Sequence, residues 1–173
     1  MRQLHYYDEY YKQVELDSAA ILNAYKLAGR TVDITFINLP DLNSSNTIKN
    51  LVMEGMSLDS AYTMIWGQYT PPKRQLNWFD KESVDLHKAI FNSDVTKGSI
   101  VGPLVTENKT FLLLQVNGWI DRPAVTKSEK SLRMTDVRKR LRENDSEQKY
   151  KEWVQNIMTG KQLELNPNVF PAY

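Results

Sequence analysis

The sequence contains no cysteine, and only two of its 173 residues are histidine. The lack of cysteine excludes disulfides, thiolate nucleophiles and zinc sites built from cysteine. His5 and His87 are far apart in the chain, and neither stands at a spacing from other ligand side chains that is typical of a metal site. We interpret both as surface or partly packed residues, and we expect no metal or other cofactor.

Long apolar runs are missing as well. No window of about 18 apolar residues occurs, so the sequence predicts no membrane span. Residues 1–16 lack the apolar core of a signal peptide. We therefore expect either a cytosolic protein or a mature form from which a signal sequence has been removed.

Neither sign of charge is in excess. Lys and Arg total 22 against 21 Asp and Glu, so no global attraction to nucleic acid or acidic membranes is expected. The basic residues of the stretch 133–142 are interleaved with acidic residues between Glu129 and Glu147, as in a solvated helix with i,i+4 ion pairs. The scattered glycines form no phosphate-binding loop, and no Gly-x-Ser-x-Gly motif is present. The sequence thus predicts no nucleic-acid partner, nucleotide site or serine hydrolase site.

The sequence does contain the pattern of an ordinary globular domain with appendages. Hydrophobic residues make up 41% of it, which suffices for a real core. Val32, Ile34 and Phe36 alternate with polar residues ahead of Pro40, and this alternation predicts a half-buried strand.

Helix signals surround this strand. Asp17, Ser57 and Asp80 are candidate N-caps of three helices, and apolar periodicity predicts a further helix over residues 46–54. Residues 41–46 are polar, and we expect them to form a loop.

Turn residues and apolar runs meet between residues 96 and 116. Ile100–Val105 and Phe111–Val116 are apolar segments joined by a polar turn, which predicts a β-hairpin. Gly98 and Gly102 allow the chain to turn into the first of these strands. Pro103 is expected near a sheet edge, where the missing N–H does no harm.

Both ends of the chain are predicted to be helical. Residues 2–13 carry tyrosines at helical spacing, and residues 128–158 predict a long helix followed by a short tail over residues 163–170. The fully polar stretch 142–149 is expected to be either an exposed turn of helix or a break.

These elements predict an α+β fold with a small, mainly antiparallel sheet, because the strands are few and the helices are grouped. We divide the chain into an N-terminal helical segment (1–30), a central domain (31–121) and a C-terminal long helix with a tail (122–173).

Four motifs follow one another in the central domain: GMSLDSA (55–61), QLNWFD (75–80), LHKAIF (86–91) and KGSIVGPLVT (97–106). In order and rough spacing they resemble the parvulin (PpiC, or rotamase) family of peptidyl-prolyl isomerases. The resemblance implies a small sheet wrapped by helices. The long helix with its tail is similar to the C-terminal arm of extracytoplasmic parvulin chaperones, which implies a periplasmic or secreted location.

The resemblance places the family's catalytic polar groups at positions where this sequence lacks them. A His of the first strand falls at Thr35, and a Cys or Asp after the second helix falls at about Gly67. A His of the last strand falls at Phe111 or Leu112, an ambiguity of one residue in the hairpin. All three polar groups are therefore replaced.

Catalysis would require another source of polar groups. Rotation about an X–Pro bond crosses a barrier of roughly 18–20 kcal/mol, which an enzyme lowers by favouring the twisted amide. A slip of one or two residues would bring Asp33 or Gln68 into the polar positions. Asp33 shares a strand face with Thr35, and it is the better candidate for residual polar function.

The family's apolar wall is better matched. Leu76, Phe79 and Leu86 stand at wall positions, and Thr106 matches a family threonine. The resemblance implies that these residues bind peptide. Core packing is the alternative interpretation, because burying one such side chain contributes about 1.5–3 kcal/mol.

We therefore predict a parvulin-like folding factor that binds unfolded or proline-containing polypeptide, with isomerase activity weak or lost. An active isomerase and a non-catalytic scaffold or assembly domain are the two alternatives. A groove with clustered apolar groups would separate the first two from the scaffold.

Overall fold

The computed structural model describes residues 9–67 and 69–164. The predictions for His5, Gln68, most of the tyrosine-rich segment and most of the C-terminal tail lie outside the described residues. The helices and strands follow one another in the order α1 (Ser18–Leu27), β1 (Arg30–Leu39), α2 (Leu42–Met53), α3 (Leu58–Trp66), β2 (Lys73–Asn77), α4 (Val84–Ile90), β3 (Ile100–Val105), β4 (Phe111–Asp121) and α5 (Lys127–Glu164).

The four strands form one antiparallel sheet in the order β2-β1-β4-β3. The predicted α+β class is thereby confirmed. Strand β1 pairs with β4 over its whole length, from Arg30↔Asp121 to Leu39↔Phe111. Strand β3 lies at an edge, so Pro103 stands where the sequence predicted.

The two faces of the sheet bury different apolar clusters. The back face, on which Val32, Ile34 and Leu76 lie, packs against α1, α4 and α5. The front face, which carries Ile37 and Leu39, packs against α2 and α3. The buried side of β1 therefore changes from the back face at Val32 and Ile34 to the front face at Ile37 and Leu39, while Asn38 is exposed. The predicted half-buried strand is confirmed in both halves of β1, and only its middle, at Ile34 and Thr35, is buried on both faces.

Helix caps explain where the helix boundaries differ from prediction. The Asp41 carboxylate accepts the Ser44 N–H at 2.8 Å, so α2 begins at Leu42 and the predicted loop over residues 41–46 is wrong. Ser83 caps α4 by accepting from the Leu86 N–H at 3.3 Å. The prediction of Asp80 as that cap is wrong.

Two other predicted caps are confirmed. Asp17 accepts from the Ala20 N–H at 3.2 Å, and Ser57 accepts from the Ser60 N–H at 3.1 Å.

Helix α5 is continuous from Lys127 to Glu164. Asn144 and Ser146 are buried within the stretch predicted to be an exposed turn or a break. The stretch is therefore helical without a break and exposed over residues 147–149, as one of the two alternatives predicted, whereas Asn144 and Ser146 turn short polar side chains toward the domain.

The β3–β4 hairpin is confirmed. Gly98 and Gly102 have φ values of +88° and +109°, a region that favours glycine. A Cβ atom at Gly102 would lie 2.5 Å from the Leu112 carbonyl oxygen. The glycines therefore serve both the turn and a close backbone approach. Among the helices of residues 9–67 and 69–164, none has the length and apolar character needed to cross a membrane.

Candidate functional site: a tyrosine pocket at the end of the β1–β2 pairing

Thr35 lies on the front face in the middle of the sheet and is buried. Its hydroxyl accepts a hydrogen bond from the Asn117 Nδ2 at 3.0 Å. Gln115 stands directly opposite Thr35 on β4, and Lys73 opposite it on β2. Polar side chains thus surround this family position, but the Thr35 hydroxyl is already bonded within the protein.

Gly67 ends α3 with a φ of +85°. The chain that follows it enters β2 at Lys73, the residue paired with Thr35. The two family positions at Thr35 and Gly67 therefore lie at the ends of one short connection.

The third family position has two candidate residues, Phe111 and Leu112, which lie on opposite faces of the sheet. Leu112 pairs with Asn38 and packs against the back-face cluster. Phe111 pairs with Leu39, a residue of the front-face cluster. Because paired residues share a face, Phe111 shares the face of Thr35 and Leu112 does not.

Asp33 lies two residues before Thr35 on the same strand, opposite Gln75 and Gly118. Its side chain is half-buried on the front face, in the part of the sheet that α2 and α3 leave open. Its prediction as a residual polar group remains a prediction.

Leu76 and Leu86, the predicted wall residues, are buried in the back-face cluster with Ala24 and Val137. Helices α1 and α5 supply the latter two residues and so cover the wall. Of the three wall residues only Phe79 is well exposed, and it makes an edge contact with the Trp78 ring at 4.8 Å. This placement favours core packing for Leu76 and Leu86, while their role in peptide binding stays a prediction.

Thr106 lies in the β3–β4 turn, where its hydroxyl is 2.7 Å from that of Thr110. The neighbouring pairs place this turn beside Leu39, whereas Leu76 pairs with Val32. Seven residues of strand separate these positions, or roughly 23 Å. The structure does not bring Thr106 together with the other predicted binding residues.

The structure forms a pocket that the sequence did not predict, at the point where the pairing of β1 with β2 ends. This tyrosine pocket has a volume of about 210 Å³. The ring centroids of Tyr62 and Tyr69, which line it, are 5.6 Å apart, and the angle between the ring planes is 55°. Its lining residues are Phe36, Ile37, Asn38, Tyr62, Tyr69 and Pro72. None of them carries a charge.

Apolar side chains also surround the tyrosine pocket. Tyr69 is 56% exposed, and Ile65 and Trp66 are exposed in the last turn of α3. These two follow Tyr62 at three and four residues, which places them on its side of the helix. The pocket therefore opens beside an exposed apolar helix face.

A larger cleft of about 640 Å³ lies on the opposite side of the sheet, between α1, α4 and α5. His87 lies in its wall with a ring centroid 5.0 Å from those of Trp78 and Phe91. The His87 Nε2 is 2.8 Å from the Trp78 carbonyl oxygen. His87 is thus packed rather than on the surface, and burial lowers its pKa.

The tyrosine pocket could not be found by motif because its two rings come from separate segments. Tyr62 belongs to α3, and Tyr69 to the connection between α3 and β2. The one sequence signal near Tyr69 is the pair Pro71 and Pro72, which predicts a loop and not a pocket. The described residues contain no group of three or more His, Cys, Asp or Glu side chains able to hold a metal.

Together these residues define an α+β domain with a four-stranded antiparallel sheet, a long C-terminal helix and a small aromatic pocket at one strand end. No protein-family profile matches the chain. No curated protein matches it in sequence. Among solved structures, the foldase protein PrsA from Streptococcus pneumoniae is similar over 91% of this chain and 58% of its own, with 13% identity and a TM-score of 0.44.

Proposed function

We propose that the protein is a parvulin-like folding factor that acts outside the cytoplasm and binds unfolded or proline-containing polypeptide. The tyrosine pocket carries this proposal. Aromatic-lined grooves are a recurring means of binding proline-containing segments. The pocket has a volume suited to one small side chain, and its uncharged lining favours an apolar one.

Weak or absent isomerase activity is part of the proposal. The Thr35 hydroxyl is buried and hydrogen-bonded to Asn117, so it is not free to stabilise a twisted amide. Leu112 supplies no polar group and lies on the other face from Thr35. The replacement of the family's polar groups at these positions supports peptide binding without strong acceleration of cis–trans isomerisation.

The test compares three exposed aromatic side chains in the full chain. Capped X–Pro tetrapeptides are titrated into isotopically labelled protein and followed by NMR. Tyr69→Ala should weaken binding by at least about tenfold, because truncating a central aromatic contact commonly does so. Phe79→Ala and Trp153→Ala should leave the affinity within about twofold, since both residues lie elsewhere on the surface.

Each other outcome has a definite meaning. Weakening by Phe79→Ala alone would place binding at the wall predicted from the sequence. No binding of any tetrapeptide would contradict the proposal and favour the scaffold alternative. Exchange spectra of the same mixtures report cis–trans interconversion, and strong acceleration lost in Tyr69→Ala would establish an active isomerase instead.

A further inference from the structure

Strand β1 extends beyond its neighbour on the β2 side. The pairing of β1 with β2 ends at Thr35↔Lys73, whereas the pairing with β4 continues to Leu39. One further bond on the β2 side follows, from the Phe36 N–H to the Pro72 carbonyl oxygen at 3.1 Å. Beyond it, no strand of the described residues pairs with this edge of β1.

The backbone of Asn38 faces this open edge. In antiparallel sheets the N–H and C=O groups of alternate residues point to the same side. The backbone N–H of Phe36 points toward β2, so the backbone N–H and C=O of Asn38, two residues later, point to the same side. No described residue on that side forms a hydrogen bond with the Asn38 backbone, and the side chain of Asn38 is exposed.

The open edge and the tyrosine pocket adjoin each other, since Asn38 also lines the pocket. We propose that an extended polypeptide segment adds to β1 at Asn38 and inserts the side chain of a neighbouring residue into the tyrosine pocket. This inference rests on the proposed function and specifies how the polypeptide is held. Strand addition of this kind gives affinity through main-chain bonds and specificity through side-chain pockets.

The geometry also favours an X–Pro sequence in the bound segment. The residue opposite Asn38 would use both its N–H and its C=O, so it cannot be proline. Its neighbour has its backbone groups turned away from β1, and proline there loses no bond. The side chain of that neighbour points to the front face, where α3 and Tyr62 pack. A residue X opposite Asn38 followed by proline in the pocket meets both conditions.

The neutral lining defines the partner further. An uncharged segment with an apolar residue next to X is expected to bind better than a charged one, because no lining residue can pair with a buried charge. The ligand class is therefore an extended, uncharged, proline-containing polypeptide.

The test removes one backbone donor. Asn38→Pro deletes the N–H that faces the open edge, and Asn38→Ala is the matched control that deletes only the side chain. The probe is the capped tetrapeptide acetyl-Ala-Val-Pro-Ala-amide, titrated into the full chain. The two variants are compared with each other, because both lack the Asn38 side chain beside the tyrosine pocket, and we expect Asn38→Pro to bind at least about fivefold more weakly than Asn38→Ala.

A second measurement does not depend on the folding of the proline variant. The same peptide with an N-methyl group on its valine lacks the donor that faces Asn38, and it should bind wild-type protein at least about fivefold more weakly. Hydrogen exchange at the Asn38 amide should slow when the unmodified peptide is added.

The outcomes separate this inference from the proposed function. Unchanged binding by Asn38→Pro and by the methylated peptide, together with lost binding by Tyr69→Ala, would overturn strand addition and leave the pocket function standing. No binding of any peptide would overturn both. Concentration-dependent dimerisation that Asn38→Pro abolishes, without a peptide effect, would assign the edge to a second copy of the chain.

Discussion

His87 illustrates how single residues are set by their surroundings. It is 6% exposed, and its Nε2 must donate to the Trp78 oxygen because a carbonyl only accepts. Burial is the main cause that lowers its pKa below the usual 6.5; the bond to Trp78 opposes the shift and the nearby Arg140 charge adds to it. At pH 7 the folded protein therefore holds His87 neutral.

The stability should accordingly depend on pH in a defined direction. Between the lowered pKa of His87 and 6.5 the unfolded chain binds more protons, so the free energy of unfolding falls as pH decreases below about 6.5. Urea unfolding at pH values from 8 to 5 measures this fall. His87→Gln should flatten the profile in that range, and an unchanged profile would contradict the assignment. The lowered carboxylate pKa values of Asp41 and Asp121 act at lower pH, outside this window.

At the residue scale the sequence located the neighbourhood of the candidate site but not its contacts. Thr35 and Gly67, found through the family resemblance, lie at the two ends of the connection beside the tyrosine pocket. Tyr69 had no signal of its own, because its partner ring belongs to α3. Leu76 and Leu86 were recognised as apolar, yet periodicity alone does not distinguish a core position from a pocket wall.

At the element scale, junctions restrict which residues are allowed. Gly29 lies between α1 and β1, and its carbonyl accepts from the Arg122 N–H at 2.9 Å. A Cβ atom at Gly29 would be 2.2 Å from the Arg122 carbonyl oxygen, whereas a Cβ atom at Gly160 in α5 would meet no atom within 4 Å. We therefore expect alanine substitution at the two glycines to change the stability in opposite directions.

Gly29→Ala should destabilise the protein by about 1–3 kcal/mol, because the backbone must shift to accept the methyl group. Gly160→Ala should stabilise it by up to about 1 kcal/mol, since alanine is the better helix former. Thermal unfolding of both variants measures the difference. Equal effects of the two substitutions would refute the close approach at Gly29.

Two helix boundaries set by local hydrogen bonds were predicted correctly, whereas a boundary that also depends on tertiary packing was not. Asp17 and Ser57 cap their helices through hydrogen bonds to residues only three positions later in the sequence, and both caps were predicted. The start of α2 at Leu42 was missed because residues 42–46 lack apolar periodicity. That turn begins at the Asp41 cap, and Ser45 within it is fully buried.

At the scale of the whole molecule, α5 is part of the domain core. Val137 is fully buried in the back-face cluster with residues of α1, β1 and α4. Leu132, five residues earlier on the same helix, is 63% exposed. The helix therefore presents one side to the core and another to solvent.

If α5 unfolds together with the sheet, Val137→Ala should lower the free energy of unfolding by about 2 kcal/mol, mainly from lost burial of two carbons. Leu132→Ala should change it by less than about 0.5 kcal/mol. Denaturant unfolding followed by both helical and tyrosine signals checks this. Separate transitions for the two signals would show that α5 is not part of one cooperative unit.

Capping residues, hydrophobic periodicity and turn glycines act within a few residues, so the sequence by itself determined the α+β class, the hairpin and most of the helices. Nonlocal strand pairing decided the rest. The register of β1 against both neighbours sets which face each side chain occupies, and it leaves the backbone of Asn38 without a partner on the β2 side among the described residues. A pocket assembled from α3, β1 and the connection to β2 exists only once those distant segments meet.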